Sequence, residues 1–279
     1  YLIEGQTYHN AGNPNVDYFV SAFDVVHDRG FSTAFFAGKA KLSICYQSYD
    51  DVNGAPDVIG EDNGRNKVDF AYILPWDGFE DDGVALMGTV TNYLATNAPN
   101  YLFLHLADMD YIGHYHNWGS ARYLNELGRM DGCLGGLLAA MEGNPELAGQ
   151  TAIILTTDHG GGVPVNTHVS PEYPLNYTIP FLVWGPGWPA GANVYDRLAN
   201  RFDPGTNRID YTASEQPIRN GDAPNLAMAL LGLPPIPGSF ILPVLKPVIA
   251  LTRRQSSEDL VLAWPSDAGG YELQATDGP

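Results

Sequence analysis

The sequence predicts an α/β protein with a mainly parallel central sheet and helices on both faces. Short apolar, strand-like runs alternate along the chain with longer segments of helical periodicity, which is typical of parallel strands joined by crossover helices. Hydrophobic residues make up 44% of the 279 residues, enough for a sizeable core. We expect one large domain over residues 1–245, followed by a short β-rich segment over residues 246–279.

The first half of the predicted domain alternates between helix and strand. Apolar spacing and turn residues predict the helix Asp17–Arg29, the strand Ser32–Ala37, the helix Asp82–Asn97 and the strand Tyr101–Ala107. The intervening segment Tyr46–Asp69 is rich in Asp, Asn and Gly and has little periodicity. It is therefore predicted to be a surface excursion.

The second half continues the alternation and then changes character. It predicts the helix Ser120–Met141, the strands Thr151–Thr157 and Ile179–Trp184, and the helix Ala223–Leu231. The apolar stripe of the long helix consists of Leu124, Leu127, Met130, Leu134, Leu137 and Met141. After Pro247, the strand candidates are Val248–Thr252, Leu260–Trp264 and Tyr271–Ala275. They indicate either the first strands of a β-sandwich module or a loosely attached tail.

Charge and composition exclude several classes of partner. A formal net charge of −18 argues against nucleic acid or an anionic membrane surface. It would also repel an anionic substrate, so a phosphate-binding site would need local metal charge. No apolar run approaches the ~20 residues of a membrane span. Cys45 and Cys133 allow one disulfide at most, and burial of both without pairing is the favoured interpretation.

Two Asp–His segments carry the chemistry. Asp110 and His114 follow one predicted strand, Asp158 and His159 follow another, and His168 lies downstream. In open α/β sheets ligands bind beyond the carboxyl ends of the strands, so these segments are expected to meet at one edge. Three imidazoles and two carboxylates are ligands that suit zinc. The pattern predicts a two-metal hydrolase.

Neighbouring polar residues have simpler interpretations. Asp108 is predicted to be a solvated or supporting carboxylate. The alternative is that Asp108 is a metal ligand in place of Asp110. His105 alternates with leucines and is predicted to lie in a strand with its ring nitrogens hydrogen-bonded. His27 is predicted to be a surface residue.

At these motifs the chain resembles the alkaline phosphatase superfamily, in particular its type I phosphodiesterase and nucleotide pyrophosphatase branch. That branch carries an Asp-x-x-Gly-His segment, an Asp-His-Gly segment and a further His in this order. The neighbouring sequence segments also match. Residues 113–120 resemble the family's Gly-His-x-x-Gly-Trp-Gly-Ser, with Asn117 where Gly is usual. Lys39 is the last residue of a segment that resembles the family's Thr-Ala-x-x-x-Gly-Lys. The resemblance runs from about Asn10 to Ser239.

The resemblance implies a two-zinc site of alkaline phosphatase-like fold. It assigns Asp110, His114 and His168 to one Zn²⁺, and Asp158 and His159 to the other, with Mn²⁺ or Ca²⁺ ranked below zinc. Lys39 is a candidate for a contact with the transferred group, with a structural role as the alternative, and His116 is a candidate for a substrate contact. The family's Thr or Ser nucleophile and one further Asp ligand have no matching motif here, which predicts that they lie upstream of Tyr1 and that this chain alone is inactive.

The implied reaction is in-line attack of a metal-activated hydroxyl on phosphorus, with a covalent phospho-enzyme then hydrolysed by water. The substrate would be a small-molecule or polymer-linked phosphate ester, and the location extracellular or periplasmic. Two alternatives remain. One is a sulfatase, although calcium prefers oxygen ligands to the histidines present here. The other is a catalytically incomplete domain in a surface assembly.

Overall fold

The computed structural model describes residues 20–47, 49–52, 54–57, 63–74, 83–246, 252–255 and 260–263. These residues confirm the mixed α/β class. The helices are α1 (Ala22–His27), α2 (Ser43–Gln47), α3 (Gly83–Leu94), α4 (Asp108–His116), α5 (Ala121–Gly143), α6 (Pro174–Tyr177), α7 (Val194–Arg197) and α8 (Asp222–Leu230), with a 3₁₀ helix at Ala40–Leu42. The strands are β1 (Thr33–Ala37), β2 (Phe70–Ile73), β3 (Tyr101–His105), β4 (Ile153–Thr156), β5 (Phe181–Trp184), β6 (Thr252–Gln255) and β7 (Leu260–Ala263).

Strand β1 is the centre of a parallel sheet with the order β2-β1-β3. All five of its residues are buried, as its uninterrupted apolar sequence predicts for a strand covered on both faces. Phe36 lies opposite Tyr72 of β2 and Leu104 of β3. Strand β2 was not predicted, because its four residues directly follow a polar, aperiodic segment.

Strands β4 and β5 form a second, antiparallel pair, with Ile153 opposite Trp184. In the described part of the chain no backbone pairing joins this pair to the first sheet. Strands β3 and β4 are therefore both edge strands, and both are only partly buried.

The main core lies between the first sheet and the helices α3 and α5. It is formed by Ala34, Phe36, Leu86, Met87, Val90, Leu94, Leu137, Met141 and Leu147. The predicted apolar stripe of α5 is buried only along part of its length: Leu124 and Leu127 are exposed, whereas Met130 and Leu137 are buried. The first turns of α5 lie outside the core that α3 and β1 form with its later turns.

The segment Tyr46–Asp69 was predicted to be a surface excursion. The prediction is wrong for the end of this segment, just before β2, which is buried. Lys67 and Val68 are fully buried. The Lys67 ammonium donates to Asp28 Oδ1 at 2.9 Å, to the Gly64 carbonyl at 2.8 Å, and to Asp57 Oδ1. Two carboxylates thus compensate one buried cation and fix this segment to the end of α1.

His27, at the end of α1, is also more buried than predicted. Its side chain is only 11% exposed and lies 3.9 Å from the Asp69 carboxylate. The helix begins at a capping box in which the Ser21 hydroxyl accepts from the Phe23 N–H and Asp24 accepts from the Ser21 N–H.

Strands β6 and β7 pair antiparallel, with Thr252 opposite Ala263. This confirms most of the predicted strand Leu260–Trp264, whereas Tyr271–Ala275 and nearly all of Val248–Thr252 lie outside the described residues. The division into a domain and a β-rich segment stays a prediction. Among the helices described, none combines the length and the apolar character needed to span a membrane.

Candidate metal centre

Helix α4 presents Asp110 and His114 on one face. The helix begins directly after β3, and residues four apart in a helix are surface neighbours. His114 Nε2 lies 3.2 Å from Asp110 Oδ1. The other ring nitrogen of His114, Nδ1, lies 2.9 Å from the Asn166 carbonyl oxygen. Because a carbonyl only accepts, Nδ1 carries the proton and Nε2 is the nitrogen available for a ligand bond.

The segment after β4 brings two more imidazoles to the same carboxylate. His159 Nε2 is 3.7 Å, and His168 Nε2 3.8 Å, from Asp110 Oδ1. The two rings stack with centroids 3.5 Å apart and an interplanar angle of 12°. His159 Nδ1 donates to the Gly160 carbonyl at 2.7 Å, which again leaves Nε2 facing the carboxylate.

Asn176 holds the loop between these two histidines. Its side chain is buried and its amide donates to the carbonyls of Val163 and Ser170, at 2.6 and 2.9 Å, while its Oδ1 accepts from the Val163 N–H. Backbone N–H groups of Gly160 and Gly161 donate to the carbonyls of Asn176 and Leu175. No motif in the sequence marks Asn176, which is a lone Asn before a Tyr-Thr-Ile run.

Trp118 joins the two ligand-bearing segments. A Cβ placed on Gly113 would lie 2.4 Å from the indole, and one placed on Gly161 would lie 2.3 Å from it. The indole is therefore held between α4 and the turn that follows β4. It also packs edge-on against His114, with ring centroids 5.0 Å apart. Glycine at both positions is what allows this approach.

The arrangement fits a bound metal ion. Asp110 Oδ1 is buried and has no hydrogen-bond partner among the described residues. The ligand atoms of Asp110, His114 and His168 all lie within 4.8 Å of one another. Bonds of about 2.0–2.1 Å in a tetrahedron would set ligand atoms about 3.3 Å apart, close to the separations found here. Imidazole lone pairs that face a carboxylate oxygen repel it unless a cation lies between them.

The charges around the cluster favour the forms that bind metals. Burial, together with the neighbouring His159 and His114, lowers the pKa of His168 and favours the neutral imidazole. Burial alone would raise the pKa of Asp110, but the hydrogen bond and charge of Lys39, together with the neighbouring His114 and His159, hold that pKa below its usual value.

Lys39 contacts the cluster directly. Its Nζ lies 2.6 Å from Asp110 Oδ2 and 5.1 Å from the ring centroid of Tyr111. A contact between Lys39 and the substrate stays a prediction, and the Lys39 ammonium lies against a candidate metal ligand, Asp110.

The remaining predicted site residues lie around this cluster. The Asp158 carboxylate is 75% exposed, and its Oδ2 is 3.5 Å from His159 Nε2. His159 thus lies between the carboxylates of Asp110 and Asp158. His116 is exposed at the end of α4.

Asp108 is not solvated, contrary to one expectation. It is buried, its Oδ1 accepts from the Gly83 N–H at 2.9 Å at the start of α3, and burial raises its pKa. It therefore supports helix α3, and it is outside the Asp110 group. His105 lies on β3 as predicted, but its Nδ1 has no hydrogen-bond partner among the described residues, so this ring is not fully satisfied. Cys45 and Cys133 are unpaired and partly buried.

Segments that follow strands of two separate sheets thus bring a carboxylate and three imidazoles together in an α/β protein with a candidate metal centre. The chain belongs to the type I phosphodiesterase/nucleotide pyrophosphatase family, whose model matches residues 12–176. All five predicted metal ligands lie inside the match. This confirms the resemblance to the alkaline phosphatase superfamily and places the chain in a metal-dependent family of phosphate ester hydrolases.

Structural similarity is more distant. A phosphoglycerate mutase from Leishmania mexicana, in crystal structures at low cobalt concentration, aligns with a TM-score of 0.45 and 14% identity. The alignment covers 80% of this chain and 39% of that one. No curated protein matches the chain at a significant level.

Proposed function

We propose that this chain forms the metal-binding part of a zinc-dependent phosphodiesterase or phosphomonoesterase. The observation that carries the proposal is the environment of Asp110 Oδ1, which is buried, without a hydrogen-bond partner among the described residues, and faced by three imidazole Nε2 atoms at 3.2–3.8 Å. Membership of a phosphodiesterase family supports a phosphate ester as the substrate.

Asp110, His114 and His168 would hold one Zn²⁺, and Asp158 and His159 would contribute to a second. Imidazole-rich sites favour zinc over calcium, which prefers oxygen ligands. When bound, such ions polarise phosphoryl oxygens and lower the pKa of an attacking hydroxyl. The backbone carbonyls of Asn166 and Gly160 fix the directions of the His114 and His159 imidazoles through Nδ1. Lys39 adds a positive charge beside Asp110 in a chain whose net charge is −18.

We propose further that the nucleophilic Thr or Ser, and the remaining Asp ligand, come from a segment upstream of Tyr1. The support is that, in the described part of the chain, β3 and β4 each have a strand partner on one side only. Both strands lead into ligand-bearing segments, and His159, after β4, lies 3.7 Å from Asp110, after β3. An apolar strand that pairs parallel with these edges would have its carboxyl end at the same cluster.

The natural substrate in this proposal is a small-molecule or polymer-linked phosphate ester. An extracellular or periplasmic location remains a prediction, based on the family resemblance and on the acidity of the chain.

Zinc binding tests the site. The 279-residue chain should bind zinc, and His168→Ala should weaken that binding more than about tenfold, because it removes a direct ligand. His116→Ala is the matched control, since His116 is exposed and outside the Asp110 group. Competition with a chelator measures both affinities. A chain that binds no zinc, or equal losses in the two variants, would contradict the proposal.

Activity tests the upstream segment. We expect the 279-residue chain to hydrolyse no phosphodiester or phosphomonoester, and a chain extended at its N-terminus through the next apolar strand to gain a chelator-sensitive activity. Turnover by the 279-residue chain that is lost on chelation would show that the nucleophile lies within it.

A further inference from the structure

The two oxygens of the Asp110 carboxylate have different environments. Oδ2 accepts a hydrogen bond from Lys39 Nζ at 2.6 Å, whereas Oδ1 faces the imidazoles of His114 and His168. One carboxylate oxygen therefore binds an ammonium group, and the other faces the candidate metal position.

Lys39 is held in this position by the fold. It directly follows Gly38 at the end of β1, and the Gly38 N–H donates to the His105 carbonyl of β3 at 2.9 Å. A Cβ on Gly38 would touch the Ala107 backbone nitrogen at 3.4 Å, so the two chain segments lie close together here. The Lys39 side chain is only 13% exposed and passes over the Tyr111 ring. These contacts aim the ammonium at Asp110 rather than into solvent.

We propose that Lys39 is a positioning residue that keeps Asp110 monodentate towards the metal ion and so preserves an open coordination position. The inference rests on the proposed zinc site. A carboxylate can bind an ion through one oxygen or both, and a charge-assisted hydrogen bond at 2.6 Å to Oδ2 occupies the second oxygen. Catalytic metal sites differ from structural ones in keeping one position free for water or substrate.

Lys39 also weakens the ligand that it orients. Its positive charge withdraws electron density from Asp110 and repels a cation at Oδ1. Without Lys39, Oδ2 can turn towards the ion and chelate it. The metal would then bind more tightly, with one more ligand bond and without a neighbouring positive charge. Loss of a partner that supports a metal ligand weakens metal binding about 10- to 100-fold. We expect a change of about tenfold or more in the opposite direction here, because Lys39 competes with the ion for Asp110.

The experiment compares the wild-type chain with Lys39→Met, Lys39→Arg and Lys41→Met. Methionine has a similar length and no charge, arginine keeps the charge, and Lys41 is an exposed lysine two residues away that serves as control. Zinc affinity is measured by chelator competition. The coordination number is followed by the visible absorption of the Co²⁺-substituted protein, which weakens as the coordination number rises. Circular dichroism checks folding, with Lys39→Gln as a second neutral variant.

We expect Lys39→Met to bind zinc about tenfold or more tightly and to give a weaker Co²⁺ absorption, while Lys39→Arg and Lys41→Met stay close to wild type. Wild-type affinity and an unchanged spectrum in both neutral variants would overturn the role of Lys39, and so would weaker binding. If the wild-type chain itself binds neither ion, it is the proposed zinc site that fails.

Discussion

Replacement of Lys67 by methionine will lower the free energy of unfolding by about 3–5 kcal/mol, because it leaves buried carboxylates without their partner. The Lys67 side chain is 1% exposed, and the side chains of Asp57 and Asp28 are 0% and 9% exposed. Methionine fills a similar volume, so the loss comes from the charge and its three hydrogen bonds rather than from a cavity. Urea denaturation measures the change.

The pH dependence gives an independent signature of this ion pair. Burial alone would raise the pKa of Asp57, but the hydrogen bonds from Lys67 and from the Asn63 N–H, together with the charge of Lys67, hold it below its usual value. Burial alone would lower the pKa of Lys67, but its contacts with Asp57 and Asp28 hold it above its usual value. A lowered carboxyl pKa contributes stability above the unfolded value of about 3.9, which is lost as pH falls through the folded value. A raised lysine pKa contributes below about 10.4 and is lost as pH rises through the folded value.

We therefore expect the contribution of this pair to be full between about pH 4 and pH 10 in the wild type. In Lys67→Met the pH dependence of the unfolding free energy at acid pH reverses. Stability then rises as the pH falls, because protonation removes the charge of buried carboxylates that have lost Lys67. Lys41→Met is the control and should change the unfolding free energy by less than about 0.5 kcal/mol, as exposed substitutions usually do. Equal effects of the two substitutions would mean that the Lys67 pair does not stabilise the fold.

Substitution of Gly161 by alanine will disturb the metal centre through Trp118. The added Cβ would lie 2.3 Å from the indole, and ordinary contact begins at 3.4 Å, so the turn or the ring must shift by roughly 1 Å. Gly161 lies two residues after His159, and Trp118 packs against His114. A displacement of this size at a functional constellation can cost about a hundredfold in activity. We expect zinc affinity to fall by about tenfold to a hundredfold.

Two comparisons make this prediction specific. Gly128→Ala, in the interior of α5 where a Cβ meets nothing within 4 Å, should leave zinc affinity unchanged and stabilise the helix by about 0.5–1 kcal/mol. Trp118→Leu combined with Gly161→Ala should recover part of the affinity lost in Gly161→Ala, since the smaller side chain relieves the clash. Strictly additive losses in the double-mutant cycle would show that the two residues act separately.

Local sequence determines much of the fold and the chemical type of the site. The apolar run of β1, the periodicity of α5 and the turn residues at helix ends predict elements that the structure confirms, because each depends on neighbours within a few positions. The ligand types are equally local: Asp110 and His114 occupy one helix face through their spacing alone. Their agreement with a family pattern predicts the family to which the chain belongs.

Tertiary packing decided the features that join distant segments. The contact between Lys39 and Asp110 spans 71 residues, and the indole of Trp118 lies against a turn more than forty residues away. The burial of Lys67, the pairing of β2 and the antiparallel direction of β5 likewise depend on which surfaces meet. A charged or short polar segment looks the same in sequence whether it faces water or a compensating partner. The sequence by itself thus determined which groups are available for metal chemistry, and only the folded chain decided how they are aimed and which charges they meet.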